Sequence, residues 1–263
     1  MDRIEYYKNS KILFELIKQC ASREIVFLQK AEHENYDRFC IRQINARSIN
    51  VLQSNFDRFD FFEMPLNIYY SLAKYKYIPF ASFNMAERRD QYKEWAEDWR
   101  NQFLAIDFGF DFDGKDLKEV WRYAKVLKDF LDKHQQPYRI SFSGNKGFHI
   151  EIPQENLPKF SNYDQCLTVW QYVTEGIKSK LGLKSINDDG FFDDTIADLK
   201  RIFKLKYSWD VSSGFICLPL DDAQFNNFST DLCKPENVIK LSWLGRRGLL
   251  TRNSNKMFNP NLF

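Results

Sequence analysis

The stretch FLAIDFGFDFDG, residues 103–114, sets Asp107, Asp111 and Asp113 into a run that also holds four phenylalanines. Side chains alternate faces along a strand. The three odd-numbered acids therefore share one face, and Phe108, Phe110 and Phe112 share the other. The phenylalanines anchor such a strand in a core, and the acids are expected to point into a wet site. Residues two apart stand about 6.6–6.8 Å apart along a strand, near enough for two carboxylates to converge on one ion. Like charges held together need a proton or a cation. Mg²⁺ takes such oxygen ligands, and two metals about 3.5–4 Å apart serve in-line phosphoryl displacement. An exposed acidic strand edge fits the same residues, as does Asp113 acting as cap of a helix after Gly114. Asp-x-Asp alone does not choose between these.

Downstream the hydrophobic period changes. Leu117, Val120, Trp121, Ala124, Leu127 and Leu131 fall on one helical face. PYRISFSG and FHIEIP then read as two short strands joined by a glycine-bracketed turn. Gly144 and Gly147 flank Asn145 and Lys146, which lets the backbone turn and present N–H groups to an anion. Lys146 adds a point charge. On the returning strand Phe148 and Ile150 face inward, and His149 and Glu151 face the other way. An ordinary hairpin with a surface histidine fits this segment read alone. Beside a strand of aligned acids, the same turn reads as a phosphate cradle.

Residues 163–182 predict a second amphipathic helix through Leu167, Trp170, Val173 and Ile177. A segment rich in both charges follows, with Asp188, Asp189, Asp193, Asp194 and Asp198 ahead of Arg201, Lys204 and Lys206. Acids followed by bases suit a site for metal and phosphate, and equally a solvated turn. GFICLPL reads as a last strand. The order from residue 103 onward is strand, helix, hairpin, helix, strand, which predicts the α+β class with a mainly antiparallel sheet and helices on one face. Upstream, residues 3–20 read as a helix, REIVFLQ and YDRFCIRQI as strands, SINVLQSNFDRF as a helix, and MAERRDQYKEWAEDWRNQ as a polar helix or lid. LNIYYSLAKY carries both strand and helix signals.

These pieces, in this order, resemble the archaeo-eukaryotic primase superfamily, the catalytic small subunit of DNA primase and the primase-polymerases above all. The first motif of that family, hydrophobic-Asp-hydrophobic-Asp, matches FDFD at Asp111 and Asp113. The second, Ser-Gly-x-x-Gly-x-His, matches SGNKGFH from Ser143 to His149 without a gap. Asn145 stands where the family often has Arg. The third motif is matched by Asp193, Ile196, Arg201, Lys204, Ser208 and Gly214. Its acid-to-base spacing is one residue short, so Asp194 is an alternative to Asp193. Asp210 stands where the family often has His. The likeness spans roughly residues 36–220, and FCIRQI resembles the strand whose arginine, here Arg42, reaches the active site.

The resemblance implies an N-terminal α/β module, approximately residues 1–100, packed against an RRM-like catalytic module, 101–222, with a C-terminal basic or helical extension, 223–263, in one catalytic domain. It implies two Mg²⁺ or Mn²⁺ ions on Asp111, Asp113 and Asp193. Ser143, Asn145, Lys146, His149, Lys204, Arg42 and Arg201 would contact nucleoside triphosphate or deoxynucleoside triphosphate. Single-stranded DNA template would run over a local basic surface including Arg246, Arg247 and Arg252. The activity implied is template-directed nucleotidyl transfer, by primer synthesis or extension. Gap filling and end repair use the same site, and a non-catalytic replication protein or a metal phosphoesterase are readings from other classes. A primase large subunit, a helicase or a fused accessory module are the implied protein partners.

The bulk composition is compatible and bounds the rest. The 263 residues are 44% hydrophobic, with 25 Phe and 13 Tyr, enough for a large core without staples. A formal net charge of +2 confines any nucleic-acid surface to a local patch. Five scattered cysteines without CxxC spacing predict free thiols and no zinc site. A charged N-terminus and the lack of any apolar run near the ~20 residues a bilayer needs predict a cytoplasmic protein without membrane contact.

Overall fold

The computed structural model describes residues 1–29, 66–76, 99–198, 201–242, 244 and 252–263. Arg42, Arg246, Arg247 and Cys40 lie outside the described residues. So do the expected strand 36–44, the expected helix 48–59 and most of the polar segment 85–102.

The opening stretch does not form one strand. It forms β3, Phe103–Ile106, and β4, Phe108–Asp113, with the break at Asp107. β3 pairs with β2, Leu66–Tyr75, in one sheet, and β4 pairs with β6, Gly147–Ile152, in another. The chain thus crosses between two sheets at Asp107, whose N–H donates to the Leu72 carbonyl at 3.1 Å. The first sheet has β2 at its centre. β1, Arg23–Gln29, runs along one edge of β2, and β3 and β8, Ile202–Lys204, share the other. The second sheet has the order β7-β4-β6-β5-β9, where β5 is Arg139–Phe142, β7 Phe192–Asp193 and β9 Leu218–Pro219. Every pairing between these strands is antiparallel, and an isolated parallel bridge joins Ser185 to Phe192. The ambiguous LNIYYSLAKY is the long strand β2, whose Ile68, Tyr70, Leu72 and Tyr75 are buried.

The even face of β4 behaves as the alternation requires. Phe108, Phe110 and Phe112 are fully buried with Phe148, Ile150 and Ile152 of β6. Two helices cover this face. α3, Leu117–Lys133, buries Val120, Ala124, Leu127 and Leu131 at helical spacing. Its N-cap is Asp116, which accepts from the N–H groups of Lys118 and Glu119, so Asp113 is not spent as a cap. α4, Tyr163–Leu181, starts at Asn162 and ends at Gly182, which takes the left-handed conformation at φ 63°. Its Trp170 stacks on Phe108 at 5.5 Å between ring centres and donates to the Gly109 carbonyl at 3.2 Å.

The odd face is the surprise. The first sheet lies against it rather than water. At Gly109 a side-chain carbon would stand 2.5 Å from Leu72 Cδ1 and 2.7 Å from Phe203 Cζ. Only hydrogen fits there, and the two sheets meet because of it. Gly109→Ala is expected to cost about 1–3 kcal/mol through overpacking. A thermal melt with no loss would contradict this close approach.

At the N-terminus the expected single helix is two, α1 (Arg3–Lys8) and α2 (Ser10–Gln19), divided at Asn9, whose side chain caps the second. GFICLPL is mostly irregular, with only Leu218–Pro219 in strand β9. In the C-terminal segment, helical structure among the described residues is limited to short turns such as α5, Asp222–Asn226, and α6, Pro235–Val238. Cys20, Cys166, Cys217 and Cys233 are buried free thiols. No helix of the described residues is long and apolar enough to cross a membrane.

Candidate active site

Register brings the sequence candidates together. Asp111 on β4 lies directly opposite Asp193 on β7 and directly opposite His149 on β6. His149 in turn faces Ser141 on β5. Directly opposed residues share a face, so Asp193, Asp111, His149 and Ser141 form one row across four strands. One step along, Asp113 pairs with Gly147, the last residue of the turn.

The odd face of β4 grades from dry to wet. Side-chain exposure rises from 2% at Asp107 to 24% at Asp111 and 37% at Asp113. The acidic end of the site, Asp111 and Asp113, therefore sits toward the rim of the area that the first sheet covers. Asp107 does not belong to it. This carboxylate is buried against Arg23, with Nη2 to Oδ2 at 2.6 Å, and accepts the Gln154 N–H at 2.8 Å. The same arginine donates to the carbonyls of Ser71 and Leu72 at 2.6 and 2.7 Å. The expectation that all three acids face a wet site thus fails for Asp107, because parity fixes a side and not what covers that side.

The rim acids repel one another. Burial first, then the charges of Asp113 and Asp193, push the Asp111 carboxyl up to about 7. Burial also raises Asp113, against the pull of Lys146. Lys146 Nζ stands 3.4 Å from Asp113 Oδ2, and Arg201 Nη1 stands 3.1 Å from Asp193 Oδ2. Asp193 Oδ1 also accepts from the N–H and hydroxyl of Thr195 at 2.9 and 2.6 Å. Asp194 points elsewhere, to Lys178 and to the Ser185 hydroxyl. Of the two alternatives, Asp193 is the one beside Asp111.

Among the described residues no group of three or more His, Cys, Asp or Glu side chains is placed so that it could hold a metal ion as it stands. Two of the three acids are turned toward basic side chains instead. The three carboxylates are oxygen donors of the kind hard divalent cations take, and burial together with their mutual repulsion raises the central one.

The turn at the end of β5 and β6 is held from inside. Ser143 Oγ accepts from the Gly147 N–H at 3.1 Å and the Asn145 N–H at 3.5 Å, and the Ser143 N–H donates to the Gly147 carbonyl at 2.9 Å. Gly144 takes φ 90°, a value that favours glycine. Asn145 and Lys146 are exposed. His149 lies flat on Phe203 of β8, with 4.1 Å between ring centres and 16° between planes. Burial and the charges of Lys206 and Lys204 hold its imidazole well below the usual histidine range, which keeps it neutral. Its Nε2 is 3.6 Å from Asp111 Oδ1, too long for a hydrogen bond. Among the described residues its buried Nδ1 has no hydrogen-bond partner, and neither has the hydroxyl of the opposed Ser141.

Lys204 is not open to a ligand. Its side chain is 6% exposed, paired with Asp210 and within 3.2 Å of Asn67 Oδ1. Lys206 is likewise buried on Glu151 and Tyr70. Arg252 is paired with Asp222, and its backbone bridges to Tyr138. The sequence reading missed Thr195, Phe203 and Arg23. Only Thr195 carried a signal, two residues after an Asp, where a hydroxyl and N–H can both serve the carboxylate.

The fold so defined is a mixed α/β architecture of antiparallel sheets. It is similar to the solved polymerase domain of Mycobacterium tuberculosis ligase D in complex with DNA, with a TM-score of 0.57 over 92% of this chain and 88% of that one, at 11% identity. No protein-family model and no curated protein matches the chain by sequence.

Proposed function

We propose that this protein is a DNA-directed nucleotidyltransferase, of the kind the sequence likeness to primase-polymerases implies. The observation that carries the reading is the row Asp193–Asp111–His149, set beside the Ser143–Gly147 turn at the exposed end of β4 and β6. It puts surplus negative charge against a turn with donors for phosphate.

In this reading Asp111, Asp113 and Asp193 hold Mg²⁺ or Mn²⁺. Bound there, the metal would make the attacking 3′-hydroxyl more acidic and balance charge on the departing pyrophosphate. Lys146 leaves Asp113 to neutralise triphosphate oxygens, and Arg201 stays near Asp193 for the same purpose. The Ser143 hydroxyl, already an acceptor inside the turn, retains its own hydrogen to donate. Neutral His149 offers one N–H and no charge to compete with the metal. Arg42 is a further candidate for the phosphates. Single-stranded template would be held by basic side chains, for which Arg246 and Arg247 are candidates from the sequence.

One observation favours a particular variant. A solved structure of similar fold is the polymerase domain of a ligase, and by that likeness we read extension at gaps or ends in preference to primer initiation. Incubation with labelled nucleotides on primed, gapped and unprimed DNA separates the variants. Mg²⁺- or Mn²⁺-dependent incorporation that follows the template base is expected, with EDTA abolishing it. Nucleotide hydrolysis without template, or incorporation in EDTA, would overturn the reading.

A further inference from the structure

The triphosphate turn is braced from below by a charge pair that cannot itself reach a ligand. Lys204 and Asp210 are both buried and paired with each other. Asp210 Oδ1 accepts from the N–H groups of Ser212 and Ser213 at 2.9 Å each, which fixes the loop 210–214. Ser213 then donates its hydroxyl to the carbonyl of Gly144, inside the turn. The same hydroxyl accepts the Phe215 N–H at 3.1 Å. Contact is close, since a side-chain carbon at Gly144 would stand 3.3 Å from Asp210 Cβ and 3.1 Å from the Cys217 nitrogen. Asn67 on β2 accepts from both Lys204 and the Val211 N–H, at 3.2 and 3.1 Å, so the first sheet anchors the whole chain of contacts.

We infer that Lys204, Asp210 and Ser213 are positioning residues for nucleotide binding, which set the shape of the 143–147 turn rather than touching phosphate. This rests on the nucleotidyl-transfer reading for its consequence, though the brace has a readout of its own. The physical logic is preorganisation. Turn donors held in the bound geometry beforehand do not have to be ordered by the ligand. Lys204 therefore has a part in the site that differs from direct phosphate contact. Its charge is already matched by Asp210, and releasing it would leave Asp210 buried without its partner.

The decisive pair is Ser213→Thr against Ser213→Val. The two side chains have nearly the same shape, and only threonine keeps the hydroxyl. Val is expected to raise KM for the incoming nucleotide about 5- to 20-fold, with kcat and primer–template affinity within about 2-fold of wild type. Thr is expected to stay near wild type. Asp210→Asn should follow Val. Equal KM for Thr and Val would overturn the inference. Amide hydrogen exchange of residues 144–147 gives the second readout, independent of catalysis. Faster exchange in the Val variant than in the Thr variant is expected, and equal exchange refutes the brace even if the protein proves not to incorporate nucleotides.

Discussion

Asp111→Asn is expected to lower template-directed incorporation roughly 1,000-fold, about 4 kcal/mol of transition-state stabilisation, and at the same time to raise thermal stability. The two effects have one cause. Asp111 is central in a row of acids, and its carboxyl is raised to about 7 by burial and by Asp113 and Asp193. A carboxyl whose folded pKa lies above its unfolded value of about 3.9 loses stability as pH rises between the two. The destabilisation is complete above about pH 7 and absent below about pH 4. Asn carries no charge, so its gain over wild type should be greatest near pH 8, on the order of 2–6 °C in Tm, and should vanish by pH 4. Adding Mn²⁺ should raise the Tm of wild type and leave that of the variant nearly unmoved. A functional cluster kept at a cost to stability behaves this way. Melting curves at pH 4, 6 and 8, with and without Mn²⁺, check the set. A variant that melts below wild type at pH 8 would show that Asp111 is there for the fold.

The second large effect is purely structural. Arg23→Met is expected to destabilise the protein by about 3–5 kcal/mol, because it leaves the Asp107 carboxylate buried without its cation. The arginine also serves the Ser71 and Leu72 carbonyls of β2, at the point where the chain passes from one sheet to the other. Burial alone would raise the Asp107 carboxyl, and Arg23 overrides it and holds the group below its ordinary value. Its contribution is therefore present above the unfolded pKa near 3.9 and is lost as pH falls through the lower folded value. Without Arg23 the sign reverses, so the deficit of the variant should be largest at neutral pH and shrink toward pH 4. Adding Asp107→Asn to Arg23→Met should recover part of the loss. Denaturant unfolding of the single and double variants at pH 7 and pH 4 measures this. An additive double variant would mean that the two side chains do not depend on each other.

Much of how the candidate residues are arranged could be read before any coordinates, and the reason is geometric. A period of two assigns Asp111, Asp113 and His149 to faces without knowledge of the fold, and the glycines around Asn145 and Lys146 announce their own turn. Both amphipathic helices follow from spacing in the same way. What failed were questions of what lies opposite. Nothing in FLAIDFGFDFDG marks Asp107 as the crossing between sheets, and its partner Arg23 is 84 positions away. Lys204 reads as a phosphate ligand because charge is visible in sequence and burial is not. β7 has two residues, too few for any period, yet its register against Asp111 is what places Asp193 rather than Asp194 in the row. Nor does the sequence mark Gly109 as the contact point of two sheets.

Three carboxylates and the 143–149 segment are proposed to bind a divalent metal and a triphosphate together. Electron paramagnetic resonance of Mn²⁺, titrated with and without a non-hydrolysable deoxynucleoside triphosphate, tests that proposal without relying on turnover. Wild type should bind Mn²⁺ more tightly when the nucleotide is present, and the Asp111→Asn/Asp113→Asn protein should show neither the Mn²⁺ site nor the coupling. Equal Mn²⁺ and nucleotide binding by the two proteins would contradict the account.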